Sequence, residues 1–222
     1  TILNGGQLVI NGAGMVIGGV ADTLSVNNNA LIQVNGANNT LSNLALNEGY
    51  VALTDPFARA EGATPYKQLN IGNLTGQGTF LLSVDLATPQ GDFVQIQNAS
   101  GNHGVLVKSS GRNPLSANAL DIIAAKEGDA TFQLKNKGQV VDLGTYQYYL
   151  TNSSATGQTV WSLTANPNNG DNGDNGDNGD NGDNGDNGDN GDNGDNGDNG
   201  DNGDNGDNGD NGGGNISPST DA

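Results

Sequence analysis

The chain has 222 residues and a formal net charge of −18, yet it contains no cysteine and only one histidine. The lack of cysteine excludes thiolate metal sites, thiol catalysis and a disulfide-stapled fold. Because no run of about 18 apolar residues and no basic cluster occurs, the sequence predicts neither a transmembrane helix nor a nucleic-acid interface.

The negative charge is concentrated at one end of the chain. Of the 25 acidic residues, 14 are Asp within residues 171–210 and one is Asp221, which leaves ten acids against seven bases and a net charge of −3 elsewhere. We therefore expect the first part, up to about Asn166, to fold with a nearly neutral surface. Thr1 follows no initiator Met and no leader segment, so we also expect the chain to be cut from a larger protein.

The first 53 residues alternate apolar and polar side chains over short stretches. Asn and Gly separate these stretches, and both residue types tolerate the left-handed backbone of a tight corner. The stretches are residues 7–10, 14–17, 23–26, 30–34 and 40–46. Strands of four to six residues with so many corners favour a β-solenoid over a β-sandwich or jelly roll, whose turns are about 8–12 residues apart. In such a solenoid we expect inward ladders of Leu, Val and Ile, and amide ladders of Asn at equivalent corners.

The segment between Asp55 and Lys67 interrupts this rhythm. It contains two prolines and charges of both signs, and it predicts a surface loop that leaves one rung and returns at Leu69. Beyond Leu69 the apolar stretches become longer and richer in aromatic residues. Residues 78–86, 104–108 and 146–150 are examples.

This second half resembles the C-terminal passenger segment of pertactin-like autotransporters. The motifs that carry the resemblance follow one another in order over about 95 residues. They are residues 74–80 (LTGQGTF), 91–94 (GDFV), 98–103 (NASGNH), 105–107 (VLV), 111–114 (GRNP), 130–134 (ATFQL), 141–148 (VDLGTYQY) and 161–163 (WSL).

The resemblance implies an all-β chain, a right-handed parallel β-helix with a C-terminal cap. Residues 1–67 would be the last rungs of the passenger, 68–165 an autochaperone or cap segment, and 166–222 a linker. It implies display at the bacterial outer membrane or cell surface, or release from it. The implied partners are a C-terminal outer-membrane β-barrel of the same chain, the outer-membrane assembly and periplasmic chaperone machinery, and a surface ligand of unknown identity. The whole protein is expected to serve adhesion, autoaggregation or biofilm growth.

Aromatic residues are concentrated where the solenoid must end. An open end exposes unpaired strand edges, and large aromatic side chains supply burial that can close it. We expect burial of Phe80, Phe93, Phe132, Tyr146, Tyr148, Tyr149 and Trp161. The candidate cap residues are Phe80, Asp92, Phe93, Gly101, His103, Phe132, Asp142, Gly144, Tyr146, Tyr148 and Trp161.

The tail repeats Asn-Gly-Asp with a period of three. Collagen would need proline, a calcium-binding β-roll would need an apolar position in each repeat, and an EF-hand would need flanking helices; the tract has none of these. Without apolar side chains it cannot offset its ordering entropy, so we expect residues 166–222 to be disordered.

The sequence predicts no catalytic residue, metal ligand or cofactor. His103 lies in a Gly-Asn-His-Gly segment that predicts a turn with a corner hydrogen bond, and no Gly-x-Ser-x-Gly motif accompanies it. Acidic residues such as Asp85 and Asp92 lie near strand ends, where Asp commonly caps backbone. Two alternatives remain open: a stalk for an upstream protease or lipase domain, and a β-helix polysaccharide lyase.

Overall fold

A computed structural model describes residues 1–53, 65–155 and 157–167. The predicted loop falls largely on residues 54–64 and the predicted disorder largely on residues beyond 167, so these parts of both predictions lie outside the described ranges. The predicted start of the disorder at residue 166 is wrong, because the last strand continues to Pro167. No helix in the described part of the chain has the length and the hydropathy to cross a bilayer.

The described residues form 15 strands, all connected in one sheet, and a single 3₁₀ turn at Lys137–Gln139. The strands are β1 (Ile2–Asn4), β2 (Gln7–Ile10), β3 (Val16–Ile17), β4 (Leu24–Asn27), β5 (Leu31–Val34), β6 (Asn39–Ala52), β7 (Gln68–Asp85), β8 (Gln90–Gly91), β9 (Phe93–Ala99), β10 (Asn102–Ser109), β11 (Leu120–Gly128), β12 (Thr131–Leu134), β13 (Val141–Asp142), β14 (Tyr146–Ala155) and β15 (Gln158–Pro167).

The strands coil into a parallel β-helix, as the sequence predicted. Each turn adds a strand to three parallel ladders, which begin with β1–β4, β2–β5 and β3–β6. The predicted strand length is wrong for β6 and β7, which have 14 and 18 residues. These two strands pair in parallel through all three ladders, with a bulge at Asn47/Gly49, because hydrogen bonding between rungs continues around the corners.

The core consists of aliphatic ladders along the axis. Leu41 of β6 pairs with Ile71 of β7, which pairs in turn with Ile96 of β9. All three are essentially inaccessible to solvent. Burying each such side chain contributes about 1.5–3 kcal/mol, so stability accumulates rung by rung.

Asparagines at equivalent corners form the expected amide ladders. The Asn35 side chain donates to Asn11 Oδ1 at 2.8 Å, the Asn73 side chain donates to Asn43 Oδ1 at 2.6 Å, and Asn28 donates to Asn4. The members of these pairs are 24 or 30 residues apart, which is the length of one turn.

At one corner of the β-helix, successive rungs carry a glycine. Gly76 and Gly101 have φ angles of +88° and +94°. A Cβ at Gly76 would lie 2.1 Å from Leu46 O, and a Cβ at Gly101 would lie 2.0 Å from Gly76 O. Successive rungs therefore approach so closely at this corner that only glycine fits.

An antiparallel hairpin closes the C-terminal end. β11 pairs in parallel with β9 on one side and antiparallel with β15 on the other. β15 then forms ten antiparallel residue pairs with β14, and β13 adds two more to β14. We define β14 and β15 as the closing hairpin; this change of direction ends the parallel stack and forms the predicted C-terminal cap.

Candidate functional site

Four of the predicted cap residues form one continuous aromatic column inside the last rungs. It consists of Phe80 on β7, His103 on β10, Phe132 on β12 and Trp161 on β15. Ring centroids are 6.1 Å apart for Phe80 and His103, 5.3 Å for His103 and Phe132, and 4.7 Å for Phe132 and Trp161. Aromatic contacts in this range stabilise by about 0.5–1.5 kcal/mol beyond simple burial.

Trp161 joins the closing hairpin to the rungs. It lies opposite Ile123 in the β11–β15 ladder and is 4% exposed. Its ring meets Phe132 edge to face, at an interplanar angle of 65°. Because Phe132 belongs to a different ladder of the β-helix, this contact ties the hairpin across the core and not only to its neighbouring strand.

His103 lies within β10 and not in a turn, so that prediction is wrong in position. Its side chain is 3% exposed and packs between Phe80 and Phe132. The expected corner contact is present, since His103 Nε2 lies 3.0 Å from the carbonyl oxygen of Ser100. His103 Nδ1 has no hydrogen-bond partner among the described residues. Burial lowers the pKa of His103, opposed by the Ser100 carbonyl.

This buried histidine predicts an acid-sensitive fold. Below about pH 6.5 an unfolded histidine binds a proton, whereas His103 in the folded chain resists protonation because its pKa is lowered. Its contribution to stability is therefore complete above that pH and decreases as the pH falls towards the folded pKa. We expect the free energy of unfolding to fall by up to about 1.4 kcal/mol per pH unit in this window, measured by urea denaturation between about pH 7.5 and 5.5.

His103→Phe is the matched control, because a phenyl ring suits the column and does not titrate. The variant should lose the acid-dependent decrease even if its absolute stability changes. Asp92 has the opposite effect on stability, because burial raises its pKa and its protonation in acid therefore favours the folded chain. Both proteins contain Asp92, so its contribution cancels when the His103→Phe profile is subtracted. Identical pH profiles for the two proteins would contradict the prediction.

Asp92, the residue just before β9, hydrogen-bonds to the backbone of two separate segments. Its side chain is 2% exposed. Asp92 Oδ1 accepts a hydrogen bond from Lys67 N at 2.8 Å, and Oδ2 accepts one from Ser83 N at 2.7 Å. Burial raises the pKa of Asp92, while the two backbone hydrogen bonds and the charge of Lys67 oppose that rise. The carboxylate thus caps backbone donors, as expected for Asp near a strand end.

Asp85, the last residue of β7, also accepts several hydrogen bonds. It forms an ion pair with Arg112 at 3.0 Å and accepts hydrogen bonds from the hydroxyls of Thr88 and Ser110 at 2.9 and 3.0 Å. Burial by itself would raise the pKa of Asp85, but these hydrogen bonds, one from Ala87 N and the Arg112 charge bring it below its ordinary value.

Sequence reasoning missed Asn136, which closes the edge of β10. Asn136 Oδ1 accepts from Val107 N at 2.9 Å, and Asn136 Nδ2 donates to Val107 O at 2.8 Å. The side-chain amide thus replaces the backbone of a further strand. An asparagine two residues after the apolar strand ending at Leu134 was the available signal.

The aromatic residues in and near the closing hairpin differ in burial according to the face of the strand on which they lie. Tyr148 is fully buried, Tyr146 is half-buried, and their ring centroids are 6.5 Å apart. The predicted burial of Tyr149 is wrong: its side chain is 39% exposed, because neighbouring residues of a strand point to opposite faces. Phe93, on β9, is only half-buried and is not part of the aromatic column.

Asp142 and Gly144 shape the turn between β13 and β14. Gly144 N donates to Asp142 Oδ1 at 3.0 Å, and Gly144 has a φ angle of +74°. Gly101, the remaining cap candidate, occupies the glycine corner. The eleven predicted residues therefore serve several separate packing and turn contacts, and only four of them meet in the aromatic column.

The described residues contain no group of three or more His, Cys, Asp or Glu side chains placed to hold a metal ion. Among these residues, His103 contacts a backbone carbonyl and two aromatic rings, and none of these contacts pairs its imidazole with a nucleophile. The contacts of these residues are packing and backbone-capping contacts.

Comparison with known proteins identifies one family model and several similar sequences. The family model described as Pertactin matches residues 41–165. The chain is 36% identical over 144 residues to the pertactin autotransporter of Bordetella bronchiseptica, covering 64% of this chain and 15% of that protein. It is 34% identical over 169 residues to the autotransporter adhesin/invasin TibA of Escherichia coli, covering 75% of this chain and 16% of that protein.

Among solved structures, the Hap adhesin of Haemophilus influenzae is 21% identical, with a TM-score of 0.46, and the match covers 73% of this chain and 17% of that chain. In every one of these comparisons, the chain spans less than a fifth of the length of the protein that it matches.

Proposed function

The chain belongs to the pertactin family of autotransporter passengers, and we propose that residues 68–165 act as its folding cap, which supports folding and outward secretion of the β-helix. The observation that carries this proposal is the closing hairpin, an antiparallel unit fastened to the parallel rungs by Trp161.

The hairpin is suited to form before the rungs. The β14–β15 ladder joins residues that are close in sequence, beginning at Ala155 and Gln158. The rungs pair residues that are 24 to 30 positions apart, as Asn11 with Asn35 and Asn43 with Asn73. Short loops close at lower entropic cost, so local antiparallel pairing precedes distant parallel pairing. Once formed, β15 offers its free edge to β11, and each rung can then serve as the template for the rung before it.

For the whole protein we propose surface display without enzymatic activity, in adhesion, autoaggregation or biofilm growth. Support comes from the relatives, one of which is described as an adhesin/invasin autotransporter. A C-terminal outer-membrane β-barrel in the full-length chain and the outer-membrane assembly and periplasmic chaperone machinery are the partners that this role requires.

Deletion of residues 139–163 from the full-length protein tests the cap role. We expect the amount of protease-resistant passenger at the cell surface to fall about tenfold or more, because β11 loses its hairpin neighbour and Phe132 loses Trp161. The measurement is surface immunoblotting after brief protease treatment of intact cells.

The matched control deletes residues 11–34, a segment of similar size that corresponds to one turn. Asn11 and Asn35 occupy equivalent corners, so this splice removes a rung in register. The control should retain a protease-resistant surface passenger. Undiminished surface folding of the cap deletion, or equal loss in both deletions, would contradict the cap role.

A further inference from the structure

A second feature, separate from the cap, is a groove that runs along the axis of the β-helix. Its volume is about 720 Å³, and it is lined by successive rungs from Asn29 to Lys135. We define it as the axial groove. Its lining side chains include Tyr50, Gln77, Thr79, Asn102, Thr131 and Gln133. Five rungs contribute, so at about 4.8 Å per rung the groove extends for roughly 19 Å.

Three of the positions that line the groove are glycines. Gly49 and Gly78 line it and pair with each other between β6 and β7. Gly104 also lines it and pairs with Thr79 between β7 and β10. A Cβ at Gly49 would lie 2.6 Å from Val26 O, and one at Gly78 would lie 2.6 Å from Gly49 O. At Gly104 it would lie 2.8 Å from the Lys135 side chain. These positions are therefore closely packed, and the polar side chains beside them line the groove.

Polar side chains in the groove and at the asparagine corners differ in how far they hydrogen-bond to one another. At those corners, amides of adjacent rungs satisfy one another, as Asn35 does with Asn11. In the groove, Asn102 is paired with Thr131 at 2.7 Å. The side chains of Tyr50, Gln77 and Thr79, however, make no hydrogen bond to another described residue. Tyr50 and Thr79 are in register on neighbouring rungs, and Gln77 lies two residues before Thr79 on β7. The middle of the groove therefore presents a group of unused donors and acceptors.

The charge of the groove is balanced. Glu48 lies on the second of the five rungs and Lys135 follows the last one, and every other lining residue is uncharged apart from the buried His103. Such a surface offers little attraction to a polyanion. Amides and hydroxyls both donate and accept hydrogen bonds, which matches the hydroxyl groups of a sugar. The half-buried Tyr50 adds an aromatic ring for the apolar face of a pyranose.

From these observations we propose that the axial groove binds a neutral oligosaccharide chain, extended along the axis across several rungs. Gln77 and Thr79 provide hydrogen bonds at its centre, and the Tyr50 ring provides the stacking surface. This inference goes beyond the cap role, because the central groove residues are separate from the hairpin, and the two proposals can fail independently.

Calorimetric titration of the purified chain tests the proposal. The probes are cellopentaose, maltoheptaose and the pentamer of N-acetylglucosamine, with a heparin tetrasaccharide as the anionic comparator. We expect saturable binding of at least one neutral probe, with a Kd of about 1 mM or lower. Removing one hydrogen-bonding or stacking group should weaken binding about three- to tenfold, which we expect for Gln77→Ala and for Tyr50→Ala.

The matched control is Gln97→Ala. Gln97 is an exposed glutamine on β9, outside the groove, and its removal should leave the Kd unchanged. Thermal melting of each variant verifies that the fold is retained. The proposal is overturned if no neutral probe binds at about 10 mM, if the heparin fragment binds more tightly than all neutral probes, or if Gln77→Ala and Tyr50→Ala bind as well as Gln97→Ala.

Discussion

Replacing Trp161 with alanine is expected to destabilise the chain by about 3–5 kcal/mol, because it removes a large buried side chain and leaves a cavity. Trp161 is 4% exposed and forms the 4.7 Å contact with Phe132 that ties the closing hairpin to β12. The loss should open the C-terminal end first. We therefore expect a lower urea midpoint, together with faster proteolysis within β14 and β15 than within the earlier rungs.

The matched control is Tyr149→Ala, on the other strand of the same hairpin. Tyr149 is 39% exposed, and its hydroxyl donates to Gln147 at 2.8 Å on the surface. Its removal should cost less than about 1 kcal/mol. Trp161→Phe should retain part of the contact with Phe132 and have an intermediate effect. If Trp161→Ala and Tyr149→Ala were equally stable, the aromatic column would not fasten the cap.

Replacing Gly101 with alanine is expected to cost more than about 4 kcal/mol and to prevent cooperative folding of the last rungs. Two effects add at this position. Its φ of +94° is unfavourable for any residue with a Cβ, and that Cβ would lie 2.0 Å from the carbonyl oxygen of Gly76 in the rung before. Relief of the clash requires the rungs to separate, which breaks the hydrogen bonds between β7 and β10. Thermal unfolding followed by circular dichroism measures the effect.

Gly111→Ala separates the two effects. Gly111 also has a positive φ, +78°, but no atom lies within 4 Å of the position of its Cβ. This variant should lose only about 1–2 kcal/mol, the cost of the left-handed backbone. The prediction for Gly101 fails if the two glycine variants melt at the same temperature, since the close approach between rungs would then contribute nothing.

The solenoid itself followed from local patterns in the sequence. Alternating apolar residues specify which side of a strand faces inward, and Asn and Gly mark the corners, so both signals are contained within a few residues. The amide ladder of Asn11 and Asn35 was predictable for the same reason, since equivalent corners must stack once the chain coils. The capping role of Asp92 was also accessible from its place beside a strand end.

Other features depend on residues that are distant in the sequence. The burial of Tyr148 and the exposure of Tyr149 depend on the register of β14 against β15, and a shift of one residue would exchange them. The contact of Phe132 with Trp161 requires two different ladders to converge across the core. Sequence alone therefore determined how the rungs are built. Only the tertiary structure decided which aromatic side chains close them and which polar side chains align in the axial groove, because both depend on the register between strands many residues apart.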